Sequence, residues 1–372
     1  MKIKNILAVS ALALTTLASC SKWTDMEIQH PEDLTQPNHS EAYYKALRDY
    51  KNSDHQIAFS YYSAWTGVGT NMQSSLMGLP DSVDLVSLWG GWKNPSEAQL
   101  KDLRAAQQKK GLKAMICFLV LDMGAGITPD PTDAEKATLK SGEKWTHKYW
   151  GWSTEQTEEG KAARRAAVVK YANGICDLID KYGYDGFDID AEPNYAQPFA
   201  TDKELWTNGD DLIQKFVETL SKRIGPKSGT GRMLVVDGEP DAFPKELGTH
   251  FDYFLLQAYS TSLDSQLDSR FKTQVDHFQG VLTTEEVAKK IIVCEDFEQH
   301  SSTGGSNFMA RNGVVVPSLL GMAYWIPTYN GKTYTKGGVG TYHMEYDYGK
   351  SSANGTYKWL RQAIQIMNPS FK

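Results

Sequence analysis

The chain has 372 residues and a formal net charge of −6, and 41% of its residues are hydrophobic. This apolar content is enough for one large folded domain, and the negative charge gives no electrostatic reason to expect nucleic-acid binding. Ten tryptophans and nineteen tyrosines fit either a packed core or a surface that stacks on sugars. We expect a monomer.

The N-terminus has the pattern of a targeting segment. Two lysines precede an apolar run over residues 6–17, which is too short to span a bilayer and is typical of a secretory signal. Residues 17–20 read Leu-Ala-Ser-Cys and resemble a bacterial lipobox, in which the cysteine is lipidated. An ordinary signal peptide that happens to end in a cysteine is the alternative.

These observations predict a lipoprotein signal peptide over residues 1–19 and a lipid anchor at Cys20. Residues 20–53 are polar, with few aliphatic side chains, and are predicted to be a tether that keeps the folded part away from the membrane. We expect the protein to be anchored in the outer membrane, at the cell surface. The folded domain is predicted over residues 54–372.

Three cysteines remain beyond Cys20, namely Cys117, Cys176 and Cys294. Their number is odd, and each lies in an apolar stretch. Buried free thiols are therefore expected rather than a disulfide framework.

Beyond the tether, short apolar runs alternate with helix-like segments. Eight runs typical of strands begin near residues 57, 83, 113, 184, 233, 253, 291 and 319. Helices are predicted from an Asn94 cap to Gly111, and over about 154–181, 210–224 and 357–367; residues 122–151 are expected to form a long surface loop. Eight alternating units predict an α/β fold, a single-domain (β/α)8 TIM barrel.

Predicted strand four carries three acids at alternate positions, Asp188, Asp190 and Glu192. Alternate side chains on a strand share one face about 6.6 Å apart. Like charges at this spacing raise the pKa of at least one member, which suits a general acid. A solvated edge strand or a calcium loop is the alternative, but the intervening residues are apolar and the order of acids and glycine differs from calcium loops. Barrel chemistry lies where strands end, so Glu192 is expected at the catalytic mouth.

Residues 185–192, Asp-Gly-Phe-Asp-Ile-Asp-Ala-Glu, resemble the Asp-Gly-x-Asp-x-Asp-x-Glu signature of glycoside hydrolase family 18. The resemblance implies that Glu192 is the acid/base and that Asp190 orients the 2-acetamido group of the substrate. Asp188 would share charge with Asp190. It also implies that the acetamido oxygen replaces an enzymic nucleophile, which gives retention of configuration.

The resemblance assigns roles on other strands. Gln257 and Tyr259 lie two apart at the end of strand six and share a face, and the family places there a tyrosine that bonds the acetamido carbonyl. Trp325 is expected to end strand eight as the hydrophobic floor beneath the sugar, and Tyr61 to line the pocket from strand one. Packing in the core is the alternative for these aromatic residues.

Further residues lie at predicted strand ends. Asp237 and three other acids either contact sugar or cap helices; the others are Glu239, Glu295 and Asp296. Trp89 and other loop tryptophans are candidates for stacking on outer sugars; these are Trp92, Trp145, Trp150 and Trp152. Residues 337–340, Gly-Gly-Val-Gly, are expected to be loop. We expect no cofactor and no metal, because no His-Glu-x-x-His spacing occurs.

The sequence also suggests a substrate. Residues 257–260 read Gln-Ala-Tyr-Ser, which is similar to the endo-β-N-acetylglucosaminidase branch of the family and differs from the Met-x-Tyr-Asp of many chitinases. The Ser-x-Gly-Gly motif of chitinases is missing from strand three. We therefore expect cleavage of the GlcNAc-β1,4-GlcNAc core of N-glycans on glycoproteins. The alternatives are a chitinase and a non-catalytic surface glycan-binding protein of the same fold.

Overall fold

The computed structural model describes residues 39–69, 71–195, 203–207, 211–349 and 355–369. The predicted signal peptide and Cys20 lie outside the described residues. Within the described ranges, no helix has the length and apolar character needed to cross a membrane.

Eight parallel strands close into a barrel, which confirms the predicted (β/α)8 fold. The strands are β1 (Ile57–Tyr62), β2 (Leu85–Leu88), β3 (Lys113–Leu119), β4 (Gly186–Ala191), β5 (Met233–Gly238), β6 (Phe254–Gln257), β7 (Ile291–Asp296) and β8 (Gly338–Tyr342). Each strand pairs with its neighbours in chain order, and β8 closes the barrel on β1.

Helices surround the barrel. The longer ones are α1 (Glu41–Lys51), α2 (Glu97–Ala105), α3 (Glu158–Tyr182), α4 (Leu212–Leu220), α5 (Asp264–His277), α6 (Thr284–Lys290), α7 (Ser318–Tyr324) and α8 (Lys358–Met367). Shorter helices occupy the loops at Asp133–Lys136, Trp145–Trp150, Glu204–Thr207 and Phe297–His300. Two small hairpins pair Asn307–Met309 with Val315–Pro317 and Thr328–Tyr329 with Lys332–Thr333.

Helix α3 leads directly into the acidic strand. Its first turn is capped by Thr157, whose side chain accepts a hydrogen bond from the backbone N–H of Gly160. The helix begins a few residues later than predicted, and Gly183 follows its last residue in the left-handed conformation (φ 64°). Helix α2 begins later than predicted. Ser96 and Gln99, not Asn94, form its capping box.

Part of the predicted tether is folded. Helix α1 lies within residues 20–53, and its side chains Tyr44 and Leu47 are buried. Lys51 donates to the carbonyl of Val83, and Arg48 donates to the carbonyls of Gln108 and Lys109. These partners precede β2 and β3, so α1 packs against the N-terminal ends of the strands, and the folded part begins ahead of residue 54.

The prediction for strand eight is wrong. The apolar run near residue 319 forms helix α7, and β8 instead contains Gly338 and Gly340 from the stretch predicted to be loop. A Cβ added at Gly338 would lie 2.0 Å from the carbonyl oxygen of Ile57, so glycine is needed there for β1 to approach. Glycine lowers strand propensity, and a short apolar run does not distinguish strand from buried helix.

The core has two parts. A large cluster lies between the barrel and its helices and includes Phe187 and Ile189 of β4. A smaller cluster fills the barrel itself, and its members come from alternate inward positions: Phe59, Tyr61, Leu85, Met115, Cys117, Val235, Leu255, Ile292 and Cys294. Cys117, Cys176 and Cys294 are free and buried, as expected. The inward acids of β4 therefore stand in a largely apolar interior.

Candidate active site

Strand β4 presents its acids to the barrel interior. Its register with β3 sets Asp188 opposite Cys117, and the apolar residues between the acids pack outward against the helices. At the other end of the strand, Asp185 accepts hydrogen bonds from Gln107 Nε2 (2.7 Å) and from the backbone N–H of Ala114 (2.9 Å). Asp185 is thus a structural residue at the closed end of the barrel.

Asp188 is completely buried. Its Oδ2 accepts a hydrogen bond from Ser87 Oγ at 2.6 Å, and its Oδ1 has no hydrogen-bond partner among the described residues. Burial, together with the nearby charge of Asp190, raises the pKa of Asp188 to about 7, because removing water disfavours the charged form. The sequence analysis missed Ser87, whose signal was a lone hydroxyl in the apolar strand β2.

Asp190 and Asp237 face each other on neighbouring strands, in register with one another. Burial raises the pKa of Asp190 well above its usual range, and the charges of Asp237 and Glu192 raise it further. Burial and the charge of Asp188 raise the pKa of Asp237 in the same direction. Such a set of carboxyl groups retains protons at neutral pH and shares them among its members.

Asp237 also contacts the end of strand β6. Gln257 Nε2 donates a hydrogen bond to Asp237 Oδ1 at 2.8 Å, and Cys117 Sγ lies 3.7 Å from Asp237 Oδ2. Asp237 is buried and therefore lies inside the acid cluster, where it does not cap a helix. Gln257 reaches the cluster through this bond.

Glu192 follows β4 at the C-terminal mouth of the barrel and is partly exposed. Carboxylate oxygens of Glu192, Asp190 and Asp237 all lie within 4.8 Å of one another. Gly238, at φ +85°, allows this approach, because a Cβ there would lie 2.5 Å from the carbonyl oxygen of Ala191 and 3.0 Å from Cγ of Glu192. The acid with access to solvent thus stands beside two buried ones.

Two groups in the cluster have the geometry to approach a cation: the three carboxylates just described, and Cys117 with Asp188 and Asp237. Metal ligands must be deprotonated. The raised pKa values of Asp188, Asp190 and Asp237 and of the Cys117 thiol favour the protonated forms. A cation that bound here would have to displace those protons.

Aromatic rings line the mouth. Tyr342, at the end of β8, lies 5.9 Å from the ring of Tyr61, 6.0 Å from that of Tyr259 and 6.3 Å from that of Trp89, measured between centroids. The hydroxyl of Tyr61 is buried and has no hydrogen-bond partner in the described part of the chain. Burial raises the pKa of Tyr259 well above its usual range, so its hydroxyl remains a hydrogen-bond donor.

Trp325 lies elsewhere, and its placement at the end of strand eight is wrong. It follows helix α7, is buried, and its Nε1 donates to Oδ1 of Asp268 on α5 at 2.9 Å. Trp325 lies in the outer layer of the barrel. Its predicted place in the sugar pocket was wrong because the eighth strand was assigned to the wrong stretch. The sequence analysis missed Tyr342, which is the aromatic residue that ends β8.

The other candidates have mainly structural contacts. Glu295 accepts hydrogen bonds from the backbone N–H groups of Ser260 and Asp296 and from the Ser318 hydroxyl. Asp296 caps the short helix at Phe297–His300. Among the tryptophans, Trp92, Trp150 and Trp152 are buried in the core, and Trp145 donates to the carbonyl of Pro129.

The site therefore combines an accessible carboxyl group, three buried carboxyl groups that share protons, an amide, and tyrosine hydroxyl groups. A partly exposed acid beside proton-holding acids can give a proton to a leaving group and take one from water. The flat aromatic residues at the mouth suit the apolar face of a sugar ring.

Comparisons with known proteins agree with this chemistry. Residues 18–366 match the family described as "Glycoside hydrolase family 18, BT1044-like". The chain is 27% identical over 339 residues to endo-β-N-acetylglucosaminidase F2 of Elizabethkingia meningoseptica, covering 86% of this chain and 84% of that protein.

Solved structures resemble it as well. A glutamate-to-glutamine variant of BT1044 is 34% identical, with a TM-score of 0.72, covering 92% of this chain and 97% of that one. A mutant endo-β-N-acetylglucosaminidase from Cordyceps militaris, in complex with fucosyl-N-acetylglucosamine-Asn, shares the fold at 22% identity, with a TM-score of 0.60 and 91% and 99% coverage. Because the family model spans most of the chain, the protein belongs to glycoside hydrolase family 18.

Proposed function

We propose that this glycosidase is a retaining, substrate-assisted endo-β-N-acetylglucosaminidase that cleaves the GlcNAc-β1,4-GlcNAc core of N-glycans on glycoproteins. The observation that carries the proposal is the cluster of Glu192, Asp190 and Asp237, whose carboxylate oxygens lie within 4.8 Å of one another at the barrel mouth. The similarity to an endo-β-N-acetylglucosaminidase over most of both chains supports the choice of substrate.

In the proposed first step, the carboxyl group of Glu192 protonates the glycosidic oxygen as the bond to the anomeric carbon breaks. The acetamido oxygen of the substrate attacks that carbon from the other face and forms an oxazolinium ion. Asp190 accepts a hydrogen bond from the acetamido N–H. Asp190 lies beside the reacting groups, because its carboxylate oxygen is within 4.8 Å of those of Glu192 and Asp237.

In the second step, Glu192 as a carboxylate takes a proton from water, and the hydroxide opens the oxazolinium ion with overall retention. Tyr259 donates a hydrogen bond to the acetamido oxygen. Asp188 and Asp237 hold the protons that balance the charge of Asp190 through the cycle, because burial keeps their pKa values high. Gln257 fixes Asp237 through its 2.8 Å hydrogen bond.

The test compares the wild type with Glu192→Gln on a glycoprotein, with mass spectrometry of the products. We expect the wild type to leave one N-acetylglucosamine on Asn. Glu192→Gln should lose about 10²-fold to 10⁴-fold in kcat, which is the usual contribution of acid–base catalysis. This variant should still bind the glycan. Glu135→Gln, a change at an exposed glutamate, is the control.

Each other outcome has a definite meaning. Undiminished turnover by Glu192→Gln would contradict the mechanism. Cleavage of chitin oligomers without release of N-glycans would identify a chitinase instead. Binding of glycan by the wild type without any cleavage would identify a glycan-binding protein.

We further propose that the protein is lipid-anchored through Cys20 in the outer membrane and exposed at the cell surface as a monomer. The position of α1 supports this arrangement. It packs at the N-terminal ends of β2 and β3, so a tether that enters there leaves the opposite, catalytic mouth facing away from the membrane. Fractionation of cells that produce Cys20→Ala tests the anchor, and release of this variant from the membrane is expected.

A further inference from the structure

The chain turns sharply after β4, and Glu192 is the first residue of that turn. The backbone N–H of Tyr195 donates to the carbonyl of Glu192 at 3.3 Å, and Pro193 occupies the second position, where proline favours a β-turn. The position of the Glu192 backbone therefore depends on how firmly this turn is held.

A carboxylate from the next strand holds the turn. Glu239, directly after β5, is 7% exposed, and both its oxygens lie 3.2 Å from the backbone nitrogen of Asn194. Oε2 also accepts a hydrogen bond from Asn194 Nδ2 at 2.7 Å. Hydrogen bonds to an ionised acceptor are stronger than neutral ones.

Glu239 also binds the chain on the other side of Glu192. Its backbone N–H donates to the carbonyl of Ala191 at 2.8 Å. One residue therefore holds the main chain immediately before the acid/base and, through its side chain, Asn194, which follows Pro193.

The contacts of Glu239 differ from the two roles that the sequence left open for it. Its side chain makes no capping hydrogen bond to the short 3-10 helix at Pro240–Ala242 that follows it. The residue is 7% exposed, and both its side-chain oxygens face Asn194 rather than the open mouth.

We infer that Glu239 is a positioning residue for catalysis, which acts by holding the Glu192 turn so that the Glu192 carboxyl group meets the glycosidic oxygen. This inference rests on the proposed acid/base role of Glu192. A carboxylate suits the task because it accepts several N–H groups at once, whereas an amide of the same shape has one acceptor oxygen and turns an NH2 group toward the donors.

The first test is Glu239→Gln assayed on the glycan that the wild type cleaves. We expect kcat to fall about tenfold to hundredfold, because a displacement of about 1 Å at a reacting group can cost that much, with KM within about twofold. Asn194→Ala, which removes one of the donors, should give a smaller fall in kcat.

The second test separates positioning of the acid from general disruption. An aryl glycoside of the same glycan, with a nitrophenolate leaving group, needs little protonation as its bond breaks. If Glu239 acts through Glu192, the loss in kcat should shrink severalfold on this substrate. An equal loss on both substrates would overturn the inference in favour of a purely structural role.

Asp252→Asn is the matched control. Asp252 Oδ2 accepts the backbone N–H of Leu234 at 2.8 Å, so it is also a carboxylate that holds backbone, but at the opposite end of β5. We expect this variant to melt at a lower temperature and to keep the wild-type kcat.

A crystal structure of Glu239→Ala gives a readout that does not depend on activity. We expect the Glu192 carboxyl group to move by about 1 Å or more relative to Asp190. An unmoved Glu192, or a wild-type kcat in Glu239→Gln, would overturn the inference. Failure of the proposed function is distinguishable from these results, because it would show as a wild type that does not release N-glycans.

Discussion

The buried acid Asp188 makes a prediction about stability that is independent of substrate. Its pKa rises from an ordinary value of 3.8 to about 7 in the folded protein. Between these values the folded state binds a proton that the unfolded state has lost. The free energy of unfolding therefore falls as the pH rises from about 4 to about 7.

The size of this effect follows from the shift. A rise of roughly 3 pKa units, at about 1.36 kcal/mol per unit, corresponds to a ceiling of about 4 kcal/mol. Asp188→Asn removes the titrating group and keeps its shape, so we expect the part of the pH dependence that Asp188 contributes to disappear. The substitution also removes a charge that raises the pKa of Asp237. The smaller pKa shift of Asp237 further reduces the dependence of the free energy of unfolding on pH.

Urea unfolding followed by tryptophan fluorescence, at about pH 4.5 and about pH 7.5, measures the effect. We expect the wild type to be less stable at the higher pH and Asp188→Asn to show a smaller difference. Asp252→Asn is the comparison outside the cluster, and burial raises the pKa of Asp252 to about 6. This variant should also reduce the pH dependence of the free energy of unfolding, but without loss of hydrolysis. A wild-type pH dependence in Asp188→Asn would refute the assignment of the raised pKa to this residue.

Two further substitutions test the placement of residues in the fold. Trp325→Phe removes the hydrogen bond to Asp268 and should lower the free energy of unfolding by about 1–3 kcal/mol. KM and kcat should be unchanged. A raised KM would show that Trp325 contacts the sugar after all. Gly186→Ala places a Cβ 2.2 Å from the carbonyl oxygen of Met233 and should destabilise the barrel by about 1–3 kcal/mol, measured as a lower urea midpoint. An unchanged midpoint would contradict the close approach of β4 to β5.

The sequence was sufficient for the fold and the family because their signals are local. The alternation of acids along β4 has the period of a strand, and Gly183 marks the end of the helix before it. Seven of the eight predicted strands overlap observed ones. Local patterns of this kind do not depend on how distant strands meet.

The partners of the acids could not be predicted in this way. Ser87 contacts Asp188 only because barrel closure brings β2 within reach of β4, although the two residues are 101 positions apart. A hydroxyl in a buried apolar strand needs a partner, so its presence was a usable signal, but the sequence does not say which residue satisfies it. The same limit applies to Glu239, which contacts Ala191 at the end of β4 and Asn194 in the turn that follows.

Strand eight shows how one misassigned element changes the chemistry assigned to a site. When the eighth strand is predicted to begin near residue 319, Trp325 lies at its end and is predicted to form the floor of the sugar pocket. With the strand at Gly338–Tyr342, the aromatic residue at its mouth is Tyr342, paired in register with Asp296 of β7. The ring of Tyr342 lies 6.0 Å from Tyr259 and also contacts Trp89.

The aromatic cluster at the mouth is thus built from three neighbouring strand ends rather than from one tryptophan, and its rings meet edge to face. Trp89 follows β2, Tyr61 belongs to β1 and Tyr342 ends β8, and these strands are consecutive around the barrel. The acid cluster stands on β4 and β5, across the interior from them. For the proposed substrate-assisted mechanism, a sugar held between the two must direct its acetamido group toward Asp190, and its opposite side then contacts the rings.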